Sequence, residues 1–147
     1  MILINNMQQL TQEILRLCRE YGECRVEMER MEEARRVKNA LESVCGGARQ
    51  RLDISDPALL VALLEAYEVT RDEGMLQEVL DVVSGNLGRL AVSAESAKLL
   101  VYCYYYVEEE ECAERAREMV EKLRQAGEDT GEVEKVVGEM MGRKEKT

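Results

Sequence analysis

The residues able to carry chemistry in this 147-residue chain are five cysteines, six tyrosines and 30 carboxylates, and histidine is absent. That absence removes the commonest general base and the commonest metal ligand together. Cys18, Cys24, Cys45, Cys103 and Cys112 are odd in number, widely spaced and never in a Cys-x-x-Cys pair. They therefore indicate neither a disulfide framework nor a zinc site, and reduced thiols are expected. There is no Gly-rich phosphate loop and no nucleophile elbow, and carboxylate pairs drawn from so many acids arise by chance. The run Glu108 to Glu111 lacks the spaced Asp/Asn/Gly ligands of a calcium loop and is expected to be a solvated turn. No catalysis, no metal and no cofactor are expected. The remaining distinctive cluster is Tyr102, Tyr104, Tyr105 and Tyr106. Tyrosine offers apolar area with a hydroxyl at low entropic cost, so the cluster is either a partner-binding surface or the filling of a buried helix in a chain without phenylalanine.

Charge narrows the partners. Twenty Lys plus Arg against 30 Asp plus Glu give a net charge of -10, which opposes binding to a phosphate backbone, so no nucleic-acid partner is expected. The imbalance is uneven: residues 1–52 sum to +1 and residues 53–147 to -11. The acidic part either steers in a basic peptide or helix or is simply a solvated face. The longest apolar stretch, Leu99 to Val107, has nine residues, whereas a membrane span needs about 20. With no signal-like amino terminus, a cytoplasmic location is expected and a nuclear one is compatible.

The elements that position these residues follow from periodicity. Met7, Leu10, Ile14, Leu17, Tyr21, Cys24, Met28 and Met31 recur at steps of three and four, a heptad seam. Beyond Met31 the apolar series resumes out of phase at Ala34, Val37, Leu41 and Val44. Because the seam passes through Gly22 unbroken, one long helix over residues 6–46 is expected, closed by Gly46-Gly47. The alternative is a hairpin at Tyr21-Gly22. The seam, with Leu10, Ile14, Leu17 and Met28 as its sensitive positions, either recruits another chain as a coiled coil or packs on the rest of this one. The oligomeric state is left open.

Pro57 after Asp56 starts a further helix, Gly74 and Gly85 bound the next, and Ser93 opens another. Glu108 to Glu111 holds a bend, Gly127 stops the helix that follows, and a capping helix covers residues 129–142. A shift of 37 residues lays one hairpin on the other: Leu63 on Leu100, Tyr67 on Tyr104, Leu76 on Ala113, Val79 on Ala116 and Val83 on Val120. With Tyr67, Tyr104, Ala113 and Ala116 as its partial matches, the stretch 56–126 resembles the tetratricopeptide repeat family. The resemblance implies stacked antiparallel hairpins whose first helices line a groove. A helical wheel places Glu65 and Glu68, then Lys98, Tyr102 and Tyr105, on the open line, with Tyr104 on the packed side.

The expected protein is a single all-α domain over residues 1–147, a long N-terminal helix packed on a short repeat-like array with a C-terminal capping helix. Its expected role is non-catalytic protein recognition, as an adaptor or scaffold using the groove Glu65, Glu68, Lys98, Tyr102 and Tyr105. The alternative is a structural subunit assembled through the N-terminal seam.

Overall fold

The computed structural model describes residues 7–145, with side chains through residue 139. It is all-α among these residues and divides into two compact units, Met1–Ser84 and Gly85–Thr147.

In the first unit the expected long helix is two. Helix α1 spans Met7–Cys24 and helix α2 Met31–Ala48, with a turn and a 3-10 segment, Met28–Arg30, between them. The chain leaves α1 where the Arg25 N–H still donates to the Tyr21 carbonyl (2.9 Å) and the Glu27 N–H to that of Cys24 (3.2 Å). Gly22 is not the breaker; it lies inside α1 with open space around it. The physical reason for the break is the change of phase after Met31. Leu10, Ile14 and Leu17 form one stripe, and Ala34, Val37 and Leu41 form another that a straight helix would aim elsewhere. Folding back brings both stripes inward, and α1 packs on α2 and on α3 (Pro57–Thr70).

Helix α3 is apolar nearly all round, with Leu59 to Leu64, Ala66 and Tyr67 buried, because α1, α2 and α4 (Glu73–Ser84) surround it. Pro57 occupies its first turn, where the missing N–H costs nothing. The Asp72 carboxylate accepts from the Met75 N–H (3.1 Å) at the start of α4. Arg49, at the end of α2, donates to Asp72 (2.9 Å) and to both Glu78 oxygens (3.0 and 2.6 Å), tying the α3–α4 hairpin to the preceding helix.

The second unit holds α5 (Ala94–Val107), α6 (Glu110–Gln125) and α7 (Gly131–Glu145). The Ser93 hydroxyl caps α5 by accepting from the Ser96 N–H (3.0 Å). Gly127, at φ 80°, ends α6 in the left-handed region, with its N–H donating to the Arg124 carbonyl and that of Glu128 to Leu123. Thr130 is buried and its hydroxyl bonds Glu134 (3.2 Å) in the first turn of α7.

The 37-residue shift reappears as geometry. Arg71 and Glu108, its counterpart, are the two non-glycine residues at positive φ among the described residues, at 56° and 57°. Each donates its N–H at 2.8 Å to the carbonyl of a tyrosine, Tyr67 or Tyr104, four residues back. Each of those tyrosines sends its hydroxyl to a glutamate six residues on, Tyr67 to Glu73 (2.5 Å) and Tyr104 to Glu110 (3.4 Å).

Candidate partner-binding cleft

Helix α5 packs on both α6 and α7, while α6 and α7 do not pack closely on one another. Between them lies an open cleft of about 820 Å³. Its floor and lower walls are apolar, from Val101 of α5, Ala113, Ala116 and Val120 of α6, and Val137 and Gly138 of α7. Val101, Ala113 and Ala116 are buried. Tyr104 stands at one end, and Glu110, Arg117, Glu121, Arg124 and Glu134 make a charged rim.

Two ties hold α7 in place. Arg124 forms an ion pair with Glu134 across the cleft, and also approaches Glu121 (3.8 Å). Lys98, on α5, donates to Glu132 (2.6 Å) and lies 3.5 Å from Glu95. Burial opposes the Lys98 charge, yet the hydrogen bond to Glu132 and the two carboxylates outweigh it and hold its pKa above the usual lysine value. The same bond lowers the Glu132 carboxyl below the usual carboxylate value.

Arg117 differs from Arg124. Its Nε donates to the Ala113 carbonyl one turn back (3.4 Å), and among the described residues it forms no ion pair with a carboxylate. An uncompensated guanidinium thus sits midway along the α6 wall of an apolar trough.

The residues singled out from sequence are placed elsewhere. Glu65 is half-buried and Glu68 exposed on α3, with Glu68 3.4 Å from Arg71. Both belong to the first unit, whereas Lys98, Tyr102 and Tyr105 belong to the second. Lys98 requires correction: it is 9% exposed and bound to α7, because α7 covers the face that a bare hairpin would leave to solvent. Tyr102 and Tyr105 are half-buried, and Tyr105 stacks edge-on against Tyr106 with ring centroids 5.1 Å apart. Tyr104, assigned to the packed side, lines the cleft. Of the seam, Leu10, Ile14 and Leu17 are buried within the first unit, while Met28 is 91% exposed at the α1–α2 turn beside exposed Val26 and Met31.

Sequence reasoning missed the cleft, although its signal was present in the 37-residue comparison. Leu76 and Val79 of α4 are matched by Ala113 and Ala116 of α6, a loss of bulk along one helix face. Burial pushes all five thiols up, Cys18 and Cys45 to about 12, so they stay protonated at neutral pH and are poor nucleophiles. Among the described residues no group of three or more acids and cysteines is arranged to hold a metal ion, and no helix is long and apolar enough to cross a membrane.

The chain matches no protein-family model and no curated protein. Among solved structures it is similar to a transcription anti-terminator antagonist, UpxZ, from Bacteroides uniformis, with 23% identity, 92% of each chain covered and a TM-score of 0.68. At that identity the likeness establishes the fold.

Proposed function

We propose that this chain is a non-catalytic regulator that acts by binding another protein in the cytoplasm, and that its target is a transcription antiterminator which it holds inactive. The observation that carries the reading is the cleft of the second unit: an apolar floor under a charged rim is the composition of a recognition surface. The likeness to an anti-terminator antagonist over 92% of both chains supplies the class of target. The expected helical-repeat groove along Glu65, Glu68, Tyr102 and Tyr105 is the finer form of the same idea, but the cleft supports docking better because Val101, Ala113, Ala116, Val120 and Val137 line it with apolar surface.

Purified antiterminators from the source genome, immobilised and exposed to the full chain, test the proposal. One of them should bind, and adding the chain should lower terminator readthrough in a reconstituted transcription reaction. Failure of every antiterminator to bind would remove the target class.

A second reading rests on Val26, Met28 and Met31, exposed at 74%, 91% and 56%. Such a cluster of exposed apolar side chains marks a contact surface, and makes the chain a subunit joined to an assembly through the α1–α2 turn rather than through the buried seam. If that reading holds, Met28→Ser with Met31→Ser abolishes co-sedimentation with the assembly and leaves antiterminator binding intact.

A further inference from the structure

We infer that the occupant of the second-unit cleft is an amphipathic α-helix of the partner, which lays its apolar stripe on the floor and presents a carboxylate to Arg117. This rests on the reading of the cleft as the partner-binding site and adds the chemistry of what fills it.

Three observations carry it. The first is shape. Positions Glu110, Ala113, Arg117 and Val120 recur at steps of three and four along α6 and span about 15 Å, nearly three turns of helix, up to the point where the Arg124–Glu134 pair bridges the trough. Facing them across the trough are Glu134, Val137 and Gly138 of α7, again at helical spacing. A trough walled by two helices and floored by a third is the place that the fourth helix of a bundle occupies.

The second is depth. Ala113, Ala116 and Gly138 have little or no side chain, and a Cβ built on Gly138 meets nothing within 4 Å. Small residues on both walls let another backbone come close, as a helix laid in a groove requires.

The third is charge. Arg124 is neutralised by Glu134, whereas Arg117 has no carboxylate partner among the described residues. Covering it with an apolar or basic helix would leave a guanidinium partly desolvated and unpaired, and an acidic residue on the incoming helix relieves that penalty. The preference is local to Arg117, since the rim as a whole sets Glu110, Glu121 and Glu134 against Arg117 and Arg124; the carboxylate of the incoming helix therefore has to lie beside Arg117.

The test uses the full chain and two synthetic 18-residue helical peptides with a Leu/Ala stripe, one carrying a single Glu at the edge of the stripe and the other a Lys in its place, followed by fluorescence anisotropy. Wild type should bind the Glu peptide about fivefold more tightly than the Lys peptide, and Arg117→Glu should reverse the order. Gly138→Leu places its Cβ in open space at the trough and strengthens α7 as a helix, so it should abolish binding of both peptides while thermal stability is kept or raised. Binding of neither peptide, an order unchanged by Arg117→Glu, or full binding by Gly138→Leu would each overturn the inference. So would binding of dodecanoate that depends on Arg117 while neither peptide binds, which assigns the trough to a small amphiphile. Antiterminator capture that survives both variants sinks the cleft as the docking site and leaves the proposed function standing. Peptide selectivity without capture of any antiterminator does the reverse.

Discussion

Helices α4 and α6 hold corresponding places in two hairpins built on one 37-residue pattern, and they do different work. In the first unit α3 is enclosed by α1, α2 and α4, with Val79 and Val83 of α4 fully buried against the core. In the second unit α5 has α6 and α7 beside it, and the α6 positions matching Leu76 and Val79 are the alanines Ala113 and Ala116. The shared features are those that shape a hairpin: the left-handed residue at Arg71 or Glu108 and the tyrosine-to-glutamate hydrogen bond that spans it. What differs is side-chain volume on one face. A repeated backbone device can thus serve a closed core in one copy and an open trough in the other, because loops and caps set the geometry while residue size sets whether a neighbour is needed.

The largest effect should come from the enclosed helix. Leu63 and its counterpart Leu100 are both fully buried, and truncating either to alanine removes apolar contact and leaves a cavity costing about 2–5 kcal/mol. If three surrounding helices hold α3 more rigidly than two hold α5, Leu63→Ala falls in the upper part of that range and Leu100→Ala in the lower. Urea midpoints at unchanged slope measure both. Equal losses would mean that the floor of the trough is as tightly held as the closed core.

A more direct attack on the comparison gives α6 the bulk of α4. Ala113→Leu with Ala116→Val restores the first-unit residues and should fill the trough, reducing binding of the acidic helical peptide at least about tenfold, or 1.4 kcal/mol. Stability should shift by no more than about 1–3 kcal/mol of overpacking strain. Undiminished binding would show that volume on α6 is not what separates the two hairpins.

How far this division was legible beforehand depends on which physics set each part. Helix termini were legible wherever local chemistry decides them: Pro57, Ser93 and Gly127 mark ends that the structure confirms within a residue or two. The break between α1 and α2 was not, because the heptad seam up to Met31 is locally consistent. Only the phase shift past Met31, which matters once tertiary partners exist, favours folding back. The burial of Lys98 was hidden for a similar reason. A helical wheel of α5 carries no information that α7 will lie over that residue and offer it Glu132. Tyr104 was assigned to the packed side, yet it is half-buried and lines the cleft, because a helical wheel of α5 does not reveal that the facing residues on α6 are small.

The entries to the two hairpins give a smaller contrast. The Ser93 hydroxyl accepts from the Ser96 N–H, so Ser93→Ala should cost about 1 kcal/mol. Asp56 makes no side-chain cap bond and relies on Pro57, so Asp56→Ala should cost only a few tenths. The two measured in one background by urea melts should differ in that order, and a larger loss at Asp56 would reverse the account of how each first helix begins.

The smallest effect tests the tie that positions the α7 wall. Glu132 is lowered by its bond to Lys98, so the carboxylate contributes stability that is present above the ordinary value of 4.5 and is lost as pH falls through its lower folded value. Lys98 is raised, so its contribution is present below the ordinary value of 10.5 and is lost as pH rises through the higher folded value. Between these limits the pair should add a constant amount. Because the Glu132 side chain is 78% exposed, solvent screening keeps that amount within about 1 kcal/mol. Lys98→Met keeps the buried stem and removes the charge. It should therefore melt within about 1 kcal/mol of wild type at pH 7, and the gap should narrow at pH values below 4.5 as Glu132 is protonated in both proteins. A gap that widens on acidification would mean that the buried ammonium is held by something other than Glu132, and α7 would lose its assigned anchor on α5.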